Sequence, residues 1–572
     1  LIVGSNSKVA RGCQVFPEYS FSWVEDEFDT FSTRSADPFH ISEEAKQQLH
    51  EAYKYWKGKT TSDLATSFMT EETLLAMKHN IFTPGNYFYN GIGHFTVKYW
   101  EVLELGYEGI MRKAEEELAA HTAGEADYAE RSAFLKAVII CCKAAIHYAG
   151  RYAVLAREEA AACQDPVRKQ ELLVIAANCE RVPAKPAESF YEACQSFWFV
   201  QMLLQTESSG HSISPGRFDQ YMYPYFKKDL DAGKITHEDA QELLDCIWVK
   251  LNDLNKVRDA ASAEGFAGYS LFQNLIVGGQ NEEGEDMTND LSFMCIEASM
   301  HVHLPAPSLS IRVWNETPDE LMIKAAKLTR TGIGLPAYYN DEVIIPAIMN
   351  RGVSLRDARV YNIIGCVEPQ VPGKTDGWHD AAFFNMLRPL ELVFTSGEDF
   401  GEQVGPRTMP VEEMTSFDQF YDAYQTQMNY FISLMVNADN SIDMAHARRC
   451  PLPYQSSMID DCIARGKSLQ EGGAVYNFTG PQGFGIANAT DALYAIKTLV
   501  FEQKKVSMEE YKRALADNFG RGFSKERLTF LTREVVDQLA AAGKQVTPEI
   551  AAAVAAGFRD LKLPEETVKR YD

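Results

Sequence analysis

The sequence predicts an α/β fold, and two features of its hydrophobic pattern lead to that prediction. From residue 271 onward, short β-rich runs at residues 275–279, 308–313 and 360–366 alternate with helical stretches such as residues 320–331. Strands that alternate with helices form parallel sheets, because the connecting helices cover both faces of each strand. The second feature is a long helical region at residues 42–206, which we expect to serve as scaffold. We therefore expect an α/β core, as an open sheet or a closed barrel.

The helical regions are predicted from apolar side chains spaced three and four residues apart. Residues 109–163 are rich in Ala, Glu, Lys and Leu and show this spacing, for example at Phe134 and Val138, as amphipathic helices do. Helical patterns return at residues 411–465. The chain shows neither an internal repeat nor a long linker, so we expect residues 1–572 to form one large domain.

Three further segments carry local signals. Residues 472–485 are predicted to form a glycine-dense turn region. Their spacing matches neither a Walker A loop nor a dinucleotide-binding fingerprint, so we expect close backbone packing there. Residues 1–4 are typical of the middle of a buried strand. The Ala-rich tail beyond Met508 is predicted to be helical, with interruptions at Gly543 and Pro548.

Composition excludes several classes of protein. The 572 residues are 46% hydrophobic and 24% charged, as in soluble globular proteins. No apolar run approaches the roughly 20 residues of a membrane-spanning helix, so we expect no membrane span. The formal net charge of −25 disfavours binding to nucleic acid or anionic lipids. The eleven cysteines form no Cys-x-x-Cys pair, which argues against a zinc cluster or a disulfide framework and favours the cytoplasm.

The segment at residues 363–370 carries the clearest chemical signal. Cys366 ends an apolar strand, Gly365 before it permits a tight approach, and Pro369 after it interrupts regular structure. Glu368 lies two residues beyond Cys366, so in an extended conformation both side chains point to the same side. A thiol and a carboxylate would then face one substrate. The alternative is an inert, buried cysteine beside a surface glutamate.

The same loop resembles the thiyl-radical loop of glycyl radical enzymes, in the branch that contains glycerol and diol dehydratases and other C–X lyases. The likeness rests on Gly-Cys-Val-Glu-Pro at residues 365–369 and on Pro-Gly-Lys-Thr-Asp-Gly-Trp-His-Asp at residues 372–380, and it extends to residues 210–221, 271–275 and 473–488. The resemblance implies a ten-stranded α/β barrel, which consists of two antiparallel halves of five parallel strands each and is wrapped by many helices.

The resemblance also implies roles for individual residues. It identifies Cys366 as the thiyl radical carrier that removes a substrate hydrogen atom, and Glu368 as the base that takes a hydroxyl proton. The ketyl radical formed in this way expels a β leaving group more readily than the neutral radical does. His94 and Asp380 would contact the substrate hydroxyl groups and together offer a proton to a departing hydroxide.

Two further positions bear on the identity of the substrate. A substrate-contacting serine is expected at Ser214, or at Ser212 if the register differs by one or two residues. Phe272 is expected in the substrate site at a position where glycerol and propanediol dehydratases resemble one another in having a tyrosine. A phenylalanine there suits a less hydroxylated or bulkier substrate than glycerol, because a buried substrate hydroxyl would otherwise lack a partner.

The radical-bearing glycine of the family has no counterpart at the expected place. Only 206 residues follow Cys366, fewer than the family places between the cysteine and that glycine. Ala-Gly-Tyr-Ser at residues 267–270 imitates the glycine motif, but it precedes Cys366 and lacks the Arg-Val, so Gly268 is expected to be structural. We therefore expect a fragment, incomplete at both ends and inactive alone, whose glycyl radical domain would lie beyond residue 572.

The function implied by the resemblance is that of a lyase in anaerobic metabolism, a glycyl radical dehydratase that eliminates water from a small vicinal diol such as propane-1,2-diol or glycerol. It would hold no bound cofactor of its own. A separate radical S-adenosylmethionine activase would install the glycyl radical, and a homodimer is expected. The alternatives are a C–N or C–S lyase acting on choline, hydroxyproline or a hydroxyalkyl sulfonate, and an inactive barrel paralogue or scaffold. A carbon–carbon lyase is disfavoured, because that branch has two adjacent cysteines where this chain has Gly365 and Cys366.

Overall fold

A computed structural model of the chain describes residues 1–266, 271–516 and 518–520, together with scattered positions between residues 532 and 554. Gly268, Gly543 and Pro548, for which the sequence makes predictions, lie outside the described residues. The described part combines helices with parallel and antiparallel strands, so the predicted mixed α/β class is confirmed.

The described residues form these helices and strands, in chain order. The α-helices are α1 (Ser22–Glu27), α2 (Glu43–Trp56), α3 (Thr61–Phe68), α4 (Glu71–Lys78), α5 (Asn86–Tyr89), α6 (Tyr99–Ala120), α7 (Tyr128–Ala162), α8 (Pro166–Arg181), α9 (Phe190–Glu207), α10 (Phe218–Asp231), α11 (His237–Asp253), α12 (Ala260–Gly265), α13 (Asp290–Val302), α14 (Asp319–Thr329), α15 (Asp341–Met349), α16 (Leu355–Arg359), α17 (Leu387–Val393), α18 (Phe417–Arg449), α19 (Pro453–Ser456), α20 (Cys462–Arg465), α21 (Ile486–Ala495) and α22 (Met508–Ala516). The strands are β1 (Phe82–Pro84), β2 (Asn274–Gly278), β3 (Ser308–Val313), β4 (Ala337–Asn340), β5 (Asn362–Ile364), β6 (Glu368–Gln370), β7 (Thr375–Asn385), β8 (Glu398–Asp399), β9 (Glu402–Gln403) and β10 (Tyr476–Phe484).

The chain divides into two compact units. The first contains Leu1–Thr70, Pro84–Phe383 and Asn437–Gln482, and the second contains Glu71–Thr83, Phe384–Val436 and the chain from Gly483 onward. All the candidate site residues named from the sequence fall within the first unit.

A parallel sheet of β2, β3 and β4 lies in the first unit. β2 pairs with β3 and β3 pairs with β4, with Val277 opposite Ile311 and Ile311 opposite Tyr338. Helix α13 connects β2 to β3, and α14 connects β3 to β4. Every residue of β2 is buried, as expected of a continuous apolar strand covered on both faces.

The predicted strands at residues 275–279 and 308–313 are confirmed as β2 and β3. The run at residues 360–366 is longer than the strand it contains, because the chain turns immediately after Ile364. Two predictions are wrong. Residues 472–485 contain the nine-residue strand β10 rather than a region of turns, and residues 1–4 form no strand.

Helix α7 is long and apolar enough to cross a membrane by length and composition, contrary to the expectation from the sequence. Core helices of soluble proteins also meet this criterion. The buried residues of α7 recur every three or four positions, from Leu135 and Val138 to Ala156 and Ala160, and the helix packs against α6 and α8. This packing covers one face of α7, whereas Ile140, Val154 and Leu155 on the same helix are exposed.

In the second unit, the buried His79 contacts two carboxylates. Its Nδ1 lies 2.8 Å from Asp399 Oδ2, and its Nε2 lies 2.9 Å from Glu402 Oε2. The Asp399 hydrogen bond, reinforced by Glu402 and opposed by burial, raises the pKa of His79 above its usual value. The protonated imidazolium satisfies both carboxylates at once, because each of its ring nitrogens carries a hydrogen.

Candidate active site

A tight antiparallel hairpin carries Cys366. Strands β5 and β6 pair Ile364 with Glu368, which leaves residues 365–367 as the turn and Cys366 at its apex. The Cys366 side chain is exposed, and its carbonyl oxygen accepts a hydrogen bond from the Tyr339 hydroxyl at 2.6 Å. The thiol is therefore presented on a loop at the end of a strand, as the sequence predicts.

The hairpin corrects two details of the sequence interpretation. Cys366 and Glu368 do not share one extended strand, because the chain reverses between them. Pro369 does not end regular structure, since it lies within β6 opposite Ile363. The Glu368 side chain instead folds back over the turn, where its Oε2 accepts a hydrogen bond from the Val367 amide at 2.9 Å. The turn, rather than side-chain alternation, brings the carboxylate towards the thiol.

Three side chains converge on Gly365. A Cβ atom at this position would lie 2.8 Å from Glu368 Oε2, 2.8 Å from Ser212 Oγ and 3.2 Å from His94 Cδ2. The φ of Gly365 is +58°, a left-handed conformation that glycine adopts without a steric penalty. Glycine is therefore required here both by its backbone and by the side chains around it.

His94 and Asp380 meet at the same place. His94 Nε2 lies 3.2 Å from Asp380 Oδ2, and His94 Nδ1 lies 2.8 Å from the Tyr87 hydroxyl oxygen. The Gln370 side-chain amide donates to the His94 carbonyl oxygen at 2.7 Å, and the Gln482 amide donates to Asp380 Oδ1. His94 is 1% exposed and Asp380 is 8% exposed. These neighbours fix both groups in a nearly dry environment.

Partial burial of the Cys366 thiol and two nearby carboxylates raise its pKa. Desolvation, followed by the negative charges of Glu368 and Asp380, raises the pKa of Cys366 to about 12. Burial raises the pKa of Glu368, with Asp380 adding to this effect and His94 opposing it. A thiol with a raised pKa keeps its hydrogen at neutral pH, which makes Cys366 a poor thiolate nucleophile. Among the described residues, Glu368 Oε1 is buried without a hydrogen-bond partner, which leaves it free to accept one from a substrate.

The two candidate serines differ in what their hydroxyls contact. The Ser214 hydroxyl donates to the Ser212 carbonyl oxygen at 3.1 Å and accepts from the amides of Asn274 and Gly365 at 3.1 and 3.3 Å. The hydrogen bonds of the Ser214 hydroxyl therefore link the segments that contain Ser212, Asn274 and Gly365. The Ser212 hydroxyl instead lies beside Gly365, next to Glu368. The geometry favours Ser212 as the serine that faces a substrate, and the role of either residue stays a prediction.

Phe272 begins the segment that leads into β2. Its ring packs edge to face against Phe266, with ring centroids 5.5 Å apart. The preceding residue, Leu271, accepts a hydrogen bond from the Ser212 amide at 2.9 Å through its carbonyl oxygen. Phe272 is therefore adjacent in sequence to a residue that is hydrogen-bonded to Ser212. Its role as a wall of the substrate site stays a prediction.

Four of the candidate residues have a left-handed backbone. The φ values are 58° at His94, 62° at Ser212, 51° at Phe272 and 58° at Asp380. Such conformations cost non-glycine residues on the order of 1–3 kcal/mol each and cluster at functional sites, where the surrounding structure enforces them. The clustering is a second indication of function that does not depend on the chemistry of the side chains.

Close glycine contacts hold these loops together. A Cβ atom on Gly93 would lie 1.7 Å from the His211 carbonyl oxygen, and one on Gly85 would lie 1.5 Å from the Asp380 carbonyl oxygen. The His94 amide donates to the same His211 oxygen at 2.8 Å. The absence of side chains at Gly93 and Gly85 therefore allows the loops that carry His94 and Asp380 to pack backbone against backbone.

The triad of His94, Glu368 and Asp380 could also hold a cation. One ligand atom from each residue lies within 4.8 Å of the other two. An imidazole and two carboxylates are suitable ligands for a divalent metal ion, and the same three groups can bind the two hydroxyl groups of a small diol. The sequence analysis did not foresee this possible metal-binding arrangement.

Sequence reasoning also missed four residues that support the site. Tyr87 precedes His94 by seven residues within Asn-Tyr-Phe-Tyr and has no periodic or motif signal. Gln370 and Gln482 lie in segments that the sequence marked as informative, but nothing in those segments indicates which backbone or carboxylate they contact. Tyr339 lies in β4, and only the folded chain shows that its hydroxyl reaches the Cys366 carbonyl oxygen.

The chain matches a known family over almost its whole length. A family model described as pyruvate formate lyase-like matches residues 1–541. A solved structure described as 1,2-propanediol dehydration in Roseburia inulinivorans is 62% identical, with a TM-score of 0.94, and the match covers 100% of this chain and 68% of that one. The glycerol-bound B12-independent glycerol dehydratase from Clostridium butyricum is 51% identical, with a TM-score of 0.88, and the match covers 100% and 70% of the two chains.

A curated relative is similar at lower identity. The (2S)-3-sulfopropanediol dehydratase of Klebsiella oxytoca is 37% identical over 531 residues, which is 91% of this chain. The chain spans 64% of that relative's length, slightly less than two thirds.

Proposed function

Because this chain belongs to the pyruvate formate lyase-like family, we propose that it forms the substrate-binding and catalytic part of a glycyl radical dehydratase. The reaction is the elimination of water from a small vicinal diol, with propane-1,2-diol as the favoured substrate. The observation that carries the proposal is the buried triad of His94, Glu368 and Asp380, which lies beside the turn that presents Cys366. The similarity to structures described for propanediol and glycerol dehydration supports it.

In the proposed reaction each group of the site has one task. The glycyl radical removes the hydrogen atom from the Cys366 thiol. Cys366 then takes a hydrogen atom from C1 of the diol and returns it to C2 at the end. Glu368 accepts the proton of the C1 hydroxyl through Oε1, which has no partner among the described residues. The C2–O bond then breaks, and the leaving oxygen takes a proton through His94 and Asp380 and departs as water, while the proton held by Glu368 returns to that pair and restores the starting state. The products of propane-1,2-diol are propanal and water.

The proposal extends to the whole protein. The radical would reside on a glycine outside these 572 residues, a radical S-adenosylmethionine activase would install it, and the enzyme would act as a cytoplasmic homodimer under anaerobic conditions. The barrel would contain ten strands in two antiparallel halves of five. The similarity to longer dehydratases supports these features.

A second candidate is a dehydratase or lyase for a substrate that carries a sulfonate. The similarity to a (2S)-3-sulfopropanediol dehydratase favours it. A sulfonate is best bound by arginine or lysine, whereas the charged side chains that shift the pKa values of Cys366 and Glu368 are Glu368, Asp380 and His94. This charge pattern supports an uncharged diol over an anionic substrate.

A substrate panel tests the proposal. The full-length activated enzyme is offered propane-1,2-diol, glycerol, choline, trans-4-hydroxyproline and isethionate under strict anaerobiosis, and each product is measured. We expect a diol to be the best substrate. Turnover of choline or isethionate with both diols untouched would contradict the dehydratase proposal. The absence of turnover with every compound, despite a detected glycyl radical, would favour an inactive scaffold.

A further inference from the structure

We propose that Tyr87 is a positioning residue that fixes the tautomer of His94, so that the imidazole presents its N–H at Nε2 to the substrate. The inference rests on the proposed function and deepens it, since it states how His94 comes to be a hydrogen-bond donor. Tyr87 lies in helix α5 and is 1% exposed.

The first argument concerns the hydroxyl proton of Tyr87. The hydroxyl oxygen lies 2.8 Å from His94 Nδ1 and 3.4 Å from the Gly377 carbonyl oxygen. A phenolic hydroxyl has one proton to donate, and the nearer acceptor is the imidazole. Burial, with the charge of Asp380 next in importance, raises the pKa of Tyr87 well above its usual value, so the proton stays on the hydroxyl. His94 Nδ1 therefore accepts, and the proton of a neutral imidazole lies on Nε2.

The second argument concerns the opposite edge of the ring. His94 Nε2 is buried and lies 3.2 Å from Asp380 Oδ2, but it makes no hydrogen bond within the described part of the chain, so it can bind a substrate. His94 and Asp380 both lie within 4.8 Å of a Glu368 oxygen. A lone pair at Nε2 would face carboxylate oxygens and be repelled by them, whereas an N–H would be attracted. Tyr87 on one side and the carboxylates on the other therefore favour the same tautomer.

The alternative tautomer has a weaker network. The Tyr87 hydroxyl would accept from an N–H at Nδ1 and donate to the Gly377 carbonyl oxygen, 3.4 Å away. The lone pair of His94 Nε2 would then face Asp380. This tautomer is the one that metal binding through Nε2 would require, so Tyr87 also disfavours a metal ion in the triad.

Three contacts hold Tyr87 in the position this task requires. Its ring packs edge to face against Trp378, with centroids 4.9 Å apart. Its carbonyl oxygen lies 2.7 Å from His446 Nε2, within hydrogen-bonding distance. Gly85, at the start of α5, allows this helix to pack against the Asp380 carbonyl oxygen. Strand β7, which carries Trp378 and Asp380, therefore also helps to hold Tyr87 against His94.

The tautomer can be read directly by NMR. The chain is labelled with ¹⁵N-histidine, and the His94 signals are identified by their loss in His94→Gln. We expect an unprotonated Nδ1 and a protonated Nε2 in the wild type. In Tyr87→Phe, the Nδ1 resonance should move and the two nitrogens should become less distinct. Tyr107→Phe is the matched control, because Tyr107 is equally buried and its hydroxyl contacts Tyr454 instead.

Two NMR outcomes would overturn the inference. One is a protonated Nδ1 in the wild type. The other is an unchanged pair of His94 signals in Tyr87→Phe. Neither measurement depends on turnover, so the assignment of the tautomer can be judged even if the proposed reaction is wrong.

Kinetics give the second test. In the full-length activated enzyme, Tyr87→Phe should lower kcat on the order of 10-fold and leave KM near the wild-type value, because it weakens a donor that acts on the leaving group. Tyr107→Phe should leave both constants nearly unchanged. Equal kinetics for the two variants would contradict the role of Tyr87. Diol turnover together with the wrong tautomer would refute this inference alone, whereas the absence of diol turnover with the expected tautomer would refute the proposed function alone.

Discussion

Replacing Gly365 with alanine should disrupt the candidate site from its centre. The left-handed φ of +58° costs an alanine roughly 1–2 kcal/mol. The added methyl group would lie 2.8 Å from both Glu368 Oε2 and Ser212 Oγ, and overpacking of this kind typically costs about 1–3 kcal/mol. We therefore expect the free energy of unfolding to fall by about 2–5 kcal/mol, with the Glu368 carboxylate and the Ser212 hydroxyl displaced.

Gly233 provides a matched control. Its φ of +63° is nearly the same, and a Cβ atom built on it has no neighbour within 4 Å. Gly233→Ala should therefore incur only the backbone cost, about 1–2 kcal/mol. Urea denaturation of both variants, compared with the wild type, separates the two contributions, and turnover by the full-length activated enzyme reports on the site.

The comparison has a clear refuting outcome. Gly365→Ala should be less stable than Gly233→Ala by about 1–3 kcal/mol and should lose most of its turnover, whereas Gly233→Ala should remain active. Equal urea midpoints together with full activity in Gly365→Ala would show that His94, Glu368 and Ser212 do not converge on Gly365.

Three other predictions follow from particular contacts. Glu368→Gln keeps the shape of the side chain but removes the base, so turnover measured at saturating diol should fall on the order of 10²-fold or more; a near-wild-type rate would assign proton removal to another group. Phe272→Tyr adds a hydroxyl to the expected substrate wall, so the ratio of kcat/KM for glycerol to that for propane-1,2-diol should rise by roughly 10-fold, and an unchanged ratio would remove Phe272 from the site. The raised pKa of His79 means that its protonated form stabilises the fold below the unfolded-state pKa of about 6.5, and that this contribution is lost as the pH rises through the folded-state pKa. Urea midpoints should therefore show His79→Gln less stable than the wild type at pH 6 and closer to it at pH 9, and a pH-independent difference would contradict the charged state of His79.

The fold was predictable where the hydrophobic pattern was strong. Strand β2 was predicted from a continuous apolar run of strand length, and β3 from Leu309, Ile311 and Val313, which alternate with polar residues. Helix α14 was predicted because its apolar positions recur with helical spacing. Strand β10 was missed because its glycines were interpreted as turns. In the structure, Gly480 packs against the His379 imidazole, a contact between distant parts of the chain that local propensity does not report.

The site was predictable only where a motif or a resemblance named a residue. Cys366, Glu368, His94 and Asp380 were named in that way, and the triad among them is now seen to converge. The sequence predicted that Cys366 and Glu368 point to the same side of one extended strand. That prediction is wrong, because the chain reverses between them in a hairpin turn. Tyr87 was not predictable at all, since its importance lies in one hydrogen bond and in the packing that directs its hydroxyl.

The separation of Ser212 from Ser214 needed the structure for a similar reason. Both serines are buried and lie two residues apart. Which hydroxyl is already engaged depends on the amides of Gly365 and Asn274, which come from other parts of the chain. The two-residue spacing in the sequence does not show which hydroxyl already has hydrogen-bond partners.

The central claim is that the Cys366 thiol transfers a hydrogen atom within a diol-binding site, and the full-length Cys366→Ser variant tests it most directly. After activation, the glycyl radical is quantified by electron paramagnetic resonance and turnover of propane-1,2-diol is measured on the same sample. We expect a wild-type radical signal with no turnover, because a serine O–H bond is too strong for the stored radical to break. Appreciable propanal formation by Cys366→Ser would contradict it.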